Sequence, residues 1–305
     1  MQFYAAPFAS HALTCRQSKP HTLNLYTHLA KGVISRHAVD AAPGFEDSSG
    51  NAMPDVKQFL KQFPPLVSLV RATRAWDQQR RQRRRRSPAM YGPLIRDYLQ
   101  SHALRKLQIG SGPHALPGWL NTDYEPVNDE FAFLDATRRF PLEDQTFDRV
   151  FNEHIIEHLS YGDGTFMLRE CHRVLKPGGR IRIATPNLKK FVDLYTPDKT
   201  ELQRRYMQTA IEQFYPEPKT NTECFVINNF LHLWGHLFVY DPPTLRDALE
   251  RAGFTNVTEH APGISEDDHL RGLESHGKQI GDDLNNFETM VLEATRPQTS
   301  NSASP

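Results

Sequence analysis

Several things are scarce in this sequence, and each scarcity excludes a class. Three cysteines, Cys15, Cys171 and Cys224, are odd in number and far apart in a chain of 305 residues. They form no disulfide framework and fit a reducing compartment. No run of 18 apolar residues occurs, so nothing in the sequence reads as a membrane-spanning helix. Net charge is also missing: 36 Lys and Arg balance 36 Asp and Glu, so no overall field draws the chain to nucleic acid or anionic lipid. No acidic residue precedes Asp40, although Arg16, Lys19, Lys31 and Arg36 do. That acid-poor, basic stretch has the composition of an organelle transit peptide, but residues 1–52 read more simply as a disordered tail or an extension upstream of Met53. A secretory signal is not expected, because no apolar segment follows the early basic residues. The expected location is cytoplasmic, with an organelle as the alternative.

What is present suffices for a core: 38% of residues are hydrophobic and 24% charged. Residues 53–90 read as a helical, basic segment, split by Pro64 and Pro65 and ending in the run Arg80 to Arg86. A solvated helix end explains such a run, since cations suit the negative pole of the dipole. A nucleic-acid or anionic-membrane contact is the alternative, weakened because no aromatics interleave the arginines. From residue 91 strands and helices alternate. LRKLQIGSGP, WLNTDYE, FAFLDA, FDRVFNE and RIRIATPN read as strands, TFMLRECHRVLK as a helix ended by Pro177-Gly178-Gly179, and PPTLRDALERAGF as a late helix. FTNVTEHA and FETMVLEATR read as closing strands. Alternation of this kind means an α/β fold with a largely parallel sheet covered on both faces. Residues 188–241 interrupt it with a helical, aromatic- and histidine-rich insertion of the sort that makes a lid or substrate wall. Residues 298–305 are disordered by composition.

The chemistry-bearing pieces come in a fixed order. Gly110-Ser111-Gly112 follows the first strand, where glycines let backbone approach a ligand. The dinucleotide pattern GxGxxG fails at Ala115, and the link from Gly112 to Trp119 is too short for a full crossover helix, which counts against NAD and FAD. Asp123 ends the second strand, where a carboxylate can accept from ribose hydroxyls. Asp135 ends the third and can accept from an adenine amino group. After the fourth strand comes His154-Ile155-Ile156-Glu157-His158, the H-x-x-E-H spacing of inverted zinc hydrolases. A zinc site needs a third protein ligand and an open position, and nothing in a zinc hydrolase asks for the glycine turn or the two strand-end aspartates. No metal is therefore expected.

GSG, the two aspartates, FDRV, the EHL segment, Arg173-Val174-Leu175-Lys176-Pro177-Gly178-Gly179 and a strand ending Thr185-Pro186-Asn187, in this order, resemble class I S-adenosylmethionine-dependent methyltransferases. Within that class they are similar to predicted methyltransferases associated with polysaccharide or glycan synthesis, which share a GW-(I/L)-N-x-D step, here Gly118 to Asp123, and an aromatic-histidine segment, here His236 to Asp241. The resemblance covers about residues 90–297. It implies a Rossmann-like, open, mostly parallel seven-stranded sheet with helices on both faces and an antiparallel closing strand. It further implies S-adenosyl-L-methionine as cofactor, held by Gln108, Gly110, Ser111, Gly112, Asp123, Tyr124, Asp135, Ala136 and Asn152. Such proteins usually carry an acidic residue where this chain has Gln108. Candidate acceptor-side groups are Glu153, His154, His236 and Tyr240. In this frame the H-x-x-E-H segment begins the helix after the fourth strand, with His158 buried and His154 nearer the mouth. Trp234 and Phe238 are either a wall against a sugar ring or core packing. The expected acceptor is a small molecule or glycan hydroxyl. A nucleic acid is the second choice, lacking an N/D-P-P-Y type motif after the fourth strand, and a non-catalytic protein of this fold is the third.

Overall fold

The structure is a computed structural model and describes residues 64–214 and 222–298, with backbone only for 64–71. The expectations for residues 1–63 and 299–305 lie outside the described residues. Two compact units divide the chain after Thr73, and the second carries the sheet.

Helix α1 (Pro64–Arg85) starts on its two prolines, which cost nothing in a first turn whose N–H groups have no helical partner. Helix α2 (Pro88–Ser101) likewise starts on proline and buries Ile95 and Tyr98. Seven strands follow: β1 (Lys106–Ile109), β2 (Leu120–Asp123), β3 (Ala132–Phe133), β4 (Phe147–Glu153), β5 (Leu175–Pro186), β6 (Thr255–His260) and β7 (Thr289–Thr295). Their order is β3-β2-β1-β4-β5-β7-β6. The first five run parallel, and β7 is antiparallel to both of its neighbours. Leu107, Ile109, Val150, Ile181, Ile183 and Leu292 share one core with α2, α3 (Tyr161–Val174) and α7 (Pro242–Arg251). Trp119, Phe151 and Leu270 form a separate cluster. Strands β1, β4 and β5 bury consecutive side chains, as parallel strands covered on both faces do.

Two boundaries differ from the sequence reading. The third strand keeps only Ala132 and Phe133 of FAFLDA. Helix α3 ends at Val174, and β5 already includes Pro177-Gly178-Gly179. The β4–β5 register shifts between Phe147 and Arg149. Gly178, at φ +79°, turns the bulged start of the strand so that its N–H donates to the Arg296 carbonyl at 2.9 Å.

The insertion contains α4 (Leu188–Val192), α5 (Glu201–Phe214) and α6 (Glu223–His232). It has its own small core, built on Phe191, Tyr206, Met207, Ile211, Val226 and Phe230. Leu284 joins that core from α9 (Asp282–Glu288), which follows the four-residue α8 (Gly277–Ile280). Trp234 packs edge-on against Phe214, and Phe238 packs on Tyr161 and Tyr240. Core packing is thus the role of both.

The arginine run ends in intramolecular partners. Arg85 donates to the Asp129 carboxylate (2.9 Å) and to the carbonyls of Pro126 (3.0 Å) and Val127 (2.8 Å). Arg86 pairs with Glu125 and stacks on Tyr124, 4.1 Å from the ring centre. These two side chains tie the end of α1 to the β2–β3 connection, which favours the structural reading of the run over a free phosphate-binding arm.

Candidate functional site

Strand order places the site. The chain runs outward from β1 to β3 and then returns to β4, so the sheet reverses direction of growth between β1 and β4. In open α/β sheets ligands bind in the crevice beyond the carboxyl ends of the strands at such a point. Ile109, the last residue of β1, pairs with Asn152 on one side and Thr122 on the other. Every sequence-selected residue on the cofactor side stands around that crevice or at the ends of β2 and β3.

The turn after β1 needs its glycines. Gly110 has φ +70°, and a Cβ there would lie 2.0 Å from Ile155 Cδ1. Gly112 has φ +52° and nothing within 4 Å of the position a Cβ would take, so it faces open space. The Asp123 carboxylate holds this turn from below. Its Oδ2 accepts from Gly112 N–H (2.8 Å) and its Oδ1 from Glu125 N–H (2.7 Å). A carboxylate has about four acceptor positions, so capacity for ligand hydroxyls remains. Asp135 is used locally, accepting from Thr137 N–H and Oγ1–H and pairing with Arg138. Tyr124, half-exposed, lies between Arg86 and Phe133, and Ala136 packs on the main core. Gln108 is buried, and its amide nitrogen donates to the His114 carbonyl at 3.2 Å. A carboxylate in its place would meet that carbonyl with like polarity, so this chain's loop conformation accounts for glutamine.

Four buried polar atoms around the crevice lack a partner: Asn152 Oδ1 and Nδ2, Ser111 Oγ and Gln108 Oε1. Buried polar groups are normally hydrogen-bonded, and leaving one unpaired costs about 1–3 kcal/mol. Unpaired groups gathered where the backbone is stripped of side chains fit a polar ligand with both donors and acceptors, such as the amino-acid and ribose parts of S-adenosylmethionine.

The other half of the site lies beyond β4 and β5, and here the structure corrects the sequence reading. The H-x-x-E-H segment does not begin a helix. His154 ends the strand in a left-handed conformation, φ +52°, and residues 156–158 make a single 3-10 turn before α3 starts at Tyr161. The two histidines therefore diverge. His154 Nδ1 is 3.0 Å from Glu157 Oε1, and Thr185 Oγ1 donates to Glu157 Oε2 at 2.9 Å. His158 instead faces His236, ring centres 4.9 Å apart. Glu157 is the fully buried member, contrary to the expectation for His158. Burial pushes its pKa up, but the His154 hydrogen bond and the neighbouring histidines outweigh this and hold it at about 2. Burial likewise opposes charge on His154, and the bond to Glu157 reverses the outcome, raising its pKa above 6.5. The Glu157 carbonyl accepts from Leu237 and Phe238 N–H, stapling the insertion's return limb to this turn.

Two candidate acceptor-side groups have structural roles. The Glu153 carboxylate accepts from Ser275 N–H (2.9 Å), Ser275 Oγ–H (2.8 Å) and His276 N–H (3.0 Å). It caps that turn and is not a base facing an acceptor. Tyr240 is buried in the main core, with burial raising its hydroxyl pKa, and a Cβ on Gly164 would sit 2.7 Å from its oxygen. Its ring packs in the core, and its hydroxyl is buried without a hydrogen-bond partner. His236 keeps its candidacy: burial lowers its pKa, so the imidazole is neutral at pH 7, and its buried Nδ1 has no partner.

Sequence reasoning missed residues 261–281. They are pinned to the sheet by charge: Arg149 pairs with Asp267, and fully buried Arg182 donates to Glu274 Oε1 (2.6 Å), Glu293 Oε1 (2.6 Å) and the Ile264 carbonyl (2.8 Å). They deliver His276 to within 4.2 Å of His154, ring centre to ring centre. His276 Nε2 lies 2.9 Å from Glu288 Oε1, and Tyr206 donates to Glu288 Oε2. The alternation Arg180-Ile181-Arg182-Ile183 was the available signal, since two arginines inside a buried strand demand acidic partners.

A methyltransferase-domain family profile matches residues 119–183, spanning β2 to β5. Demethylmenaquinone methyltransferase of Streptomyces griseus subsp. griseus is 29% identical over 123 residues, 39% of this chain and 47% of the relative. The chain thus spans about half the length of the curated relative it matches. Among solved structures, the complex of the Haloferax volcanii Trm112 methyltransferase activator with a methyltransferase superposes at TM-score 0.39 and 14% identity, covering 69% of this chain and 92% of that one. A SAM-dependent methyltransferase from Archaeoglobus fulgidus does so at TM-score 0.38 and 18% identity, covering 68% and 94%. The fold assignment rests on strand order and not on these superpositions. The matched segment marks a methyltransferase domain across residues 119–183, and the order of the seven strands around it is Rossmann-like.

Proposed function

We propose that the protein transfers the sulfonium methyl group of S-adenosylmethionine to a hydroxyl of a small molecule or glycan. The observation that carries this reading is the set of unpaired buried atoms on Asn152, Ser111 and Gln108 beside the glycine turn. The cofactor brings the activated group, so the chain's part is alignment and proton removal. The acceptor oxygen bonds to the methyl carbon as the carbon–sulfur bond breaks. The bonding pair goes to sulfur, giving S-adenosylhomocysteine, and the hydroxyl proton goes to His236, which its lowered pKa keeps neutral. The insertion, stapled at Glu157, supplies the wall on the acceptor side.

The reading is tested by incubating the full chain with methyl-labelled S-adenosylmethionine and separate pools of hydroxylated small molecules, oligosaccharides and RNA. Label in the small-molecule or oligosaccharide pool is the expected result, and His236→Ala should lower its rate while leaving S-adenosylhomocysteine affinity unchanged. Label confined to RNA would make the nucleic acid the acceptor. Label in none, with the cofactor product still bound, would make this a non-catalytic member of the fold.

A further inference from the structure

Three side chains from three elements meet beyond the carboxyl ends of β4 and β5: His154 after β4, His276 before α8, and Glu288 at the end of α9. One ligand atom from each lies within 4.8 Å of the other two. We propose that they bind a divalent first-row transition metal ion on the acceptor side of the site.

The argument rests on how each ligand is held. A metal-ligating histidine usually donates its other ring N–H to a carboxylate or carbonyl, which fixes the tautomer and the ring plane. His154 has that arrangement. Nδ1 is engaged by Glu157, itself fixed by Thr185, and Nε2 is buried with no partner. On Glu288, Oε2 is taken by Tyr206 of the insertion, leaving Oε1 toward His276. His276 is held through its backbone N–H by Glu153. Every ligand thus has an outer partner, and an ion would replace one hydrogen bond, His276 to Glu288, with coordinate bonds to both. Two imidazoles and one carboxylate suit zinc, ferrous, cobaltous or manganous ions rather than calcium or magnesium, which prefer all-oxygen sets. The set also leaves coordination positions open.

A second trio, Glu157, His158 and His236, is close enough to compete. It is the weaker candidate because both Glu157 carboxylate oxygens are taken by groups outside that trio, His154 and Thr185, whereas Glu288 Oε1 meets only His276, a fellow ligand. The proposed ion rests on the methyltransferase reading only for its use: an acceptor oxygen bound at an open position loses its proton more readily.

The test is titration of the full chain, stripped by chelator, with Co2+ and then Zn2+, following the Co2+ visible absorption. One Co2+ per chain, displaced by Zn2+, is expected. His276→Ala and the near-isosteric Glu288→Gln should abolish the spectrum, Glu157→Gln should weaken binding about 10- to 100-fold, and His236→Ala should keep it. No spectrum with wild-type protein overturns the proposal. So does a spectrum that survives both ligand variants, or one lost in His236→Ala and kept in His276→Ala. S-adenosylhomocysteine binding by each variant reports that it is folded. Wild-type protein that binds S-adenosylhomocysteine but no Co2+ sinks the metal site alone. Co2+ without S-adenosylhomocysteine sinks the methyltransferase reading and leaves the metal site standing.

Discussion

The two halves of the crevice are built on opposite principles. Around β1, β2 and the end of β4 the groups are small, mostly uncharged and partly unpaired: glycines, Ser111, Asn152 and Gln108. Around the ends of β4, β5 and β7 the groups are charged and chained together: His154 with Glu157 and Thr185, His276 with Glu288 and Tyr206. The first half is satisfied only by a ligand. The second largely satisfies itself, and its residues come from five stretches of chain, including the insertion. An invariant cofactor and a variable acceptor would require that division.

The comparison can be broken from either side. The largest effect is expected at Gly110. Gly110→Val adds a branched side chain where even a Cβ meets Ile155 at 2.0 Å, at a φ of +70°. S-adenosylhomocysteine binding should disappear by calorimetry, while the circular dichroism of the sheet persists.

Next comes Glu157→Gln, which leaves His154 buried beside an uncharged amide. Breaking a buried pair of this kind costs on the order of 3 kcal/mol, measured by urea unfolding at pH 7. The sign with pH is fixed by the folded value of about 2 against an ordinary 4.5. The carboxylate's contribution is present above pH 4.5 and is lost as pH falls toward 2. The gap between wild type and variant should therefore narrow on acidification through that window. On the alkaline side, His154 has a raised pKa. Its share is full below pH 6.5 and fades as pH rises through the folded value.

Asp123→Ala should act on the other half and more mildly. It removes the acceptor for Gly112 N–H and a partner for ribose hydroxyls, weakening S-adenosylhomocysteine about 10- to 100-fold and leaving Co2+ binding unchanged. The smallest effect is expected at Arg85→Ala. Its ion pair with exposed Asp129 is screened by solvent and contributes little, and RNA affinity should not change.

The same division explains what the sequence disclosed. The cofactor half is local: a glycine turn directly after a strand, an aspartate at the end of the next, and the step Gly118 to Asp123 fall within 14 residues of one another. Their spacing alone reports their geometry. The acceptor half is non-local. Glu153 and His276 are 123 positions apart, and no periodicity joins them. The histidine spacing was read as helical because i and i+4 meet on a helix, but the left-handed His154 turns the chain before any helix forms. Tyr240 was a candidate acceptor-side group by its place in the aromatic-histidine segment, yet it fills the gap over Gly164. The bulged start of β5 escaped notice because a Pro-Gly-Gly run normally ends an element, whereas here Gly178 lets the strand bend and continue.

The central claim is that the crevice between β1 and β4 is a site for S-adenosylmethionine. Calorimetric titration of the full chain with S-adenosylhomocysteine tests it most directly. Micromolar, one-to-one binding that Asn152→Ala weakens is the predicted result. No heat at millimolar ligand, from protein whose unfolding is cooperative, would contradict it.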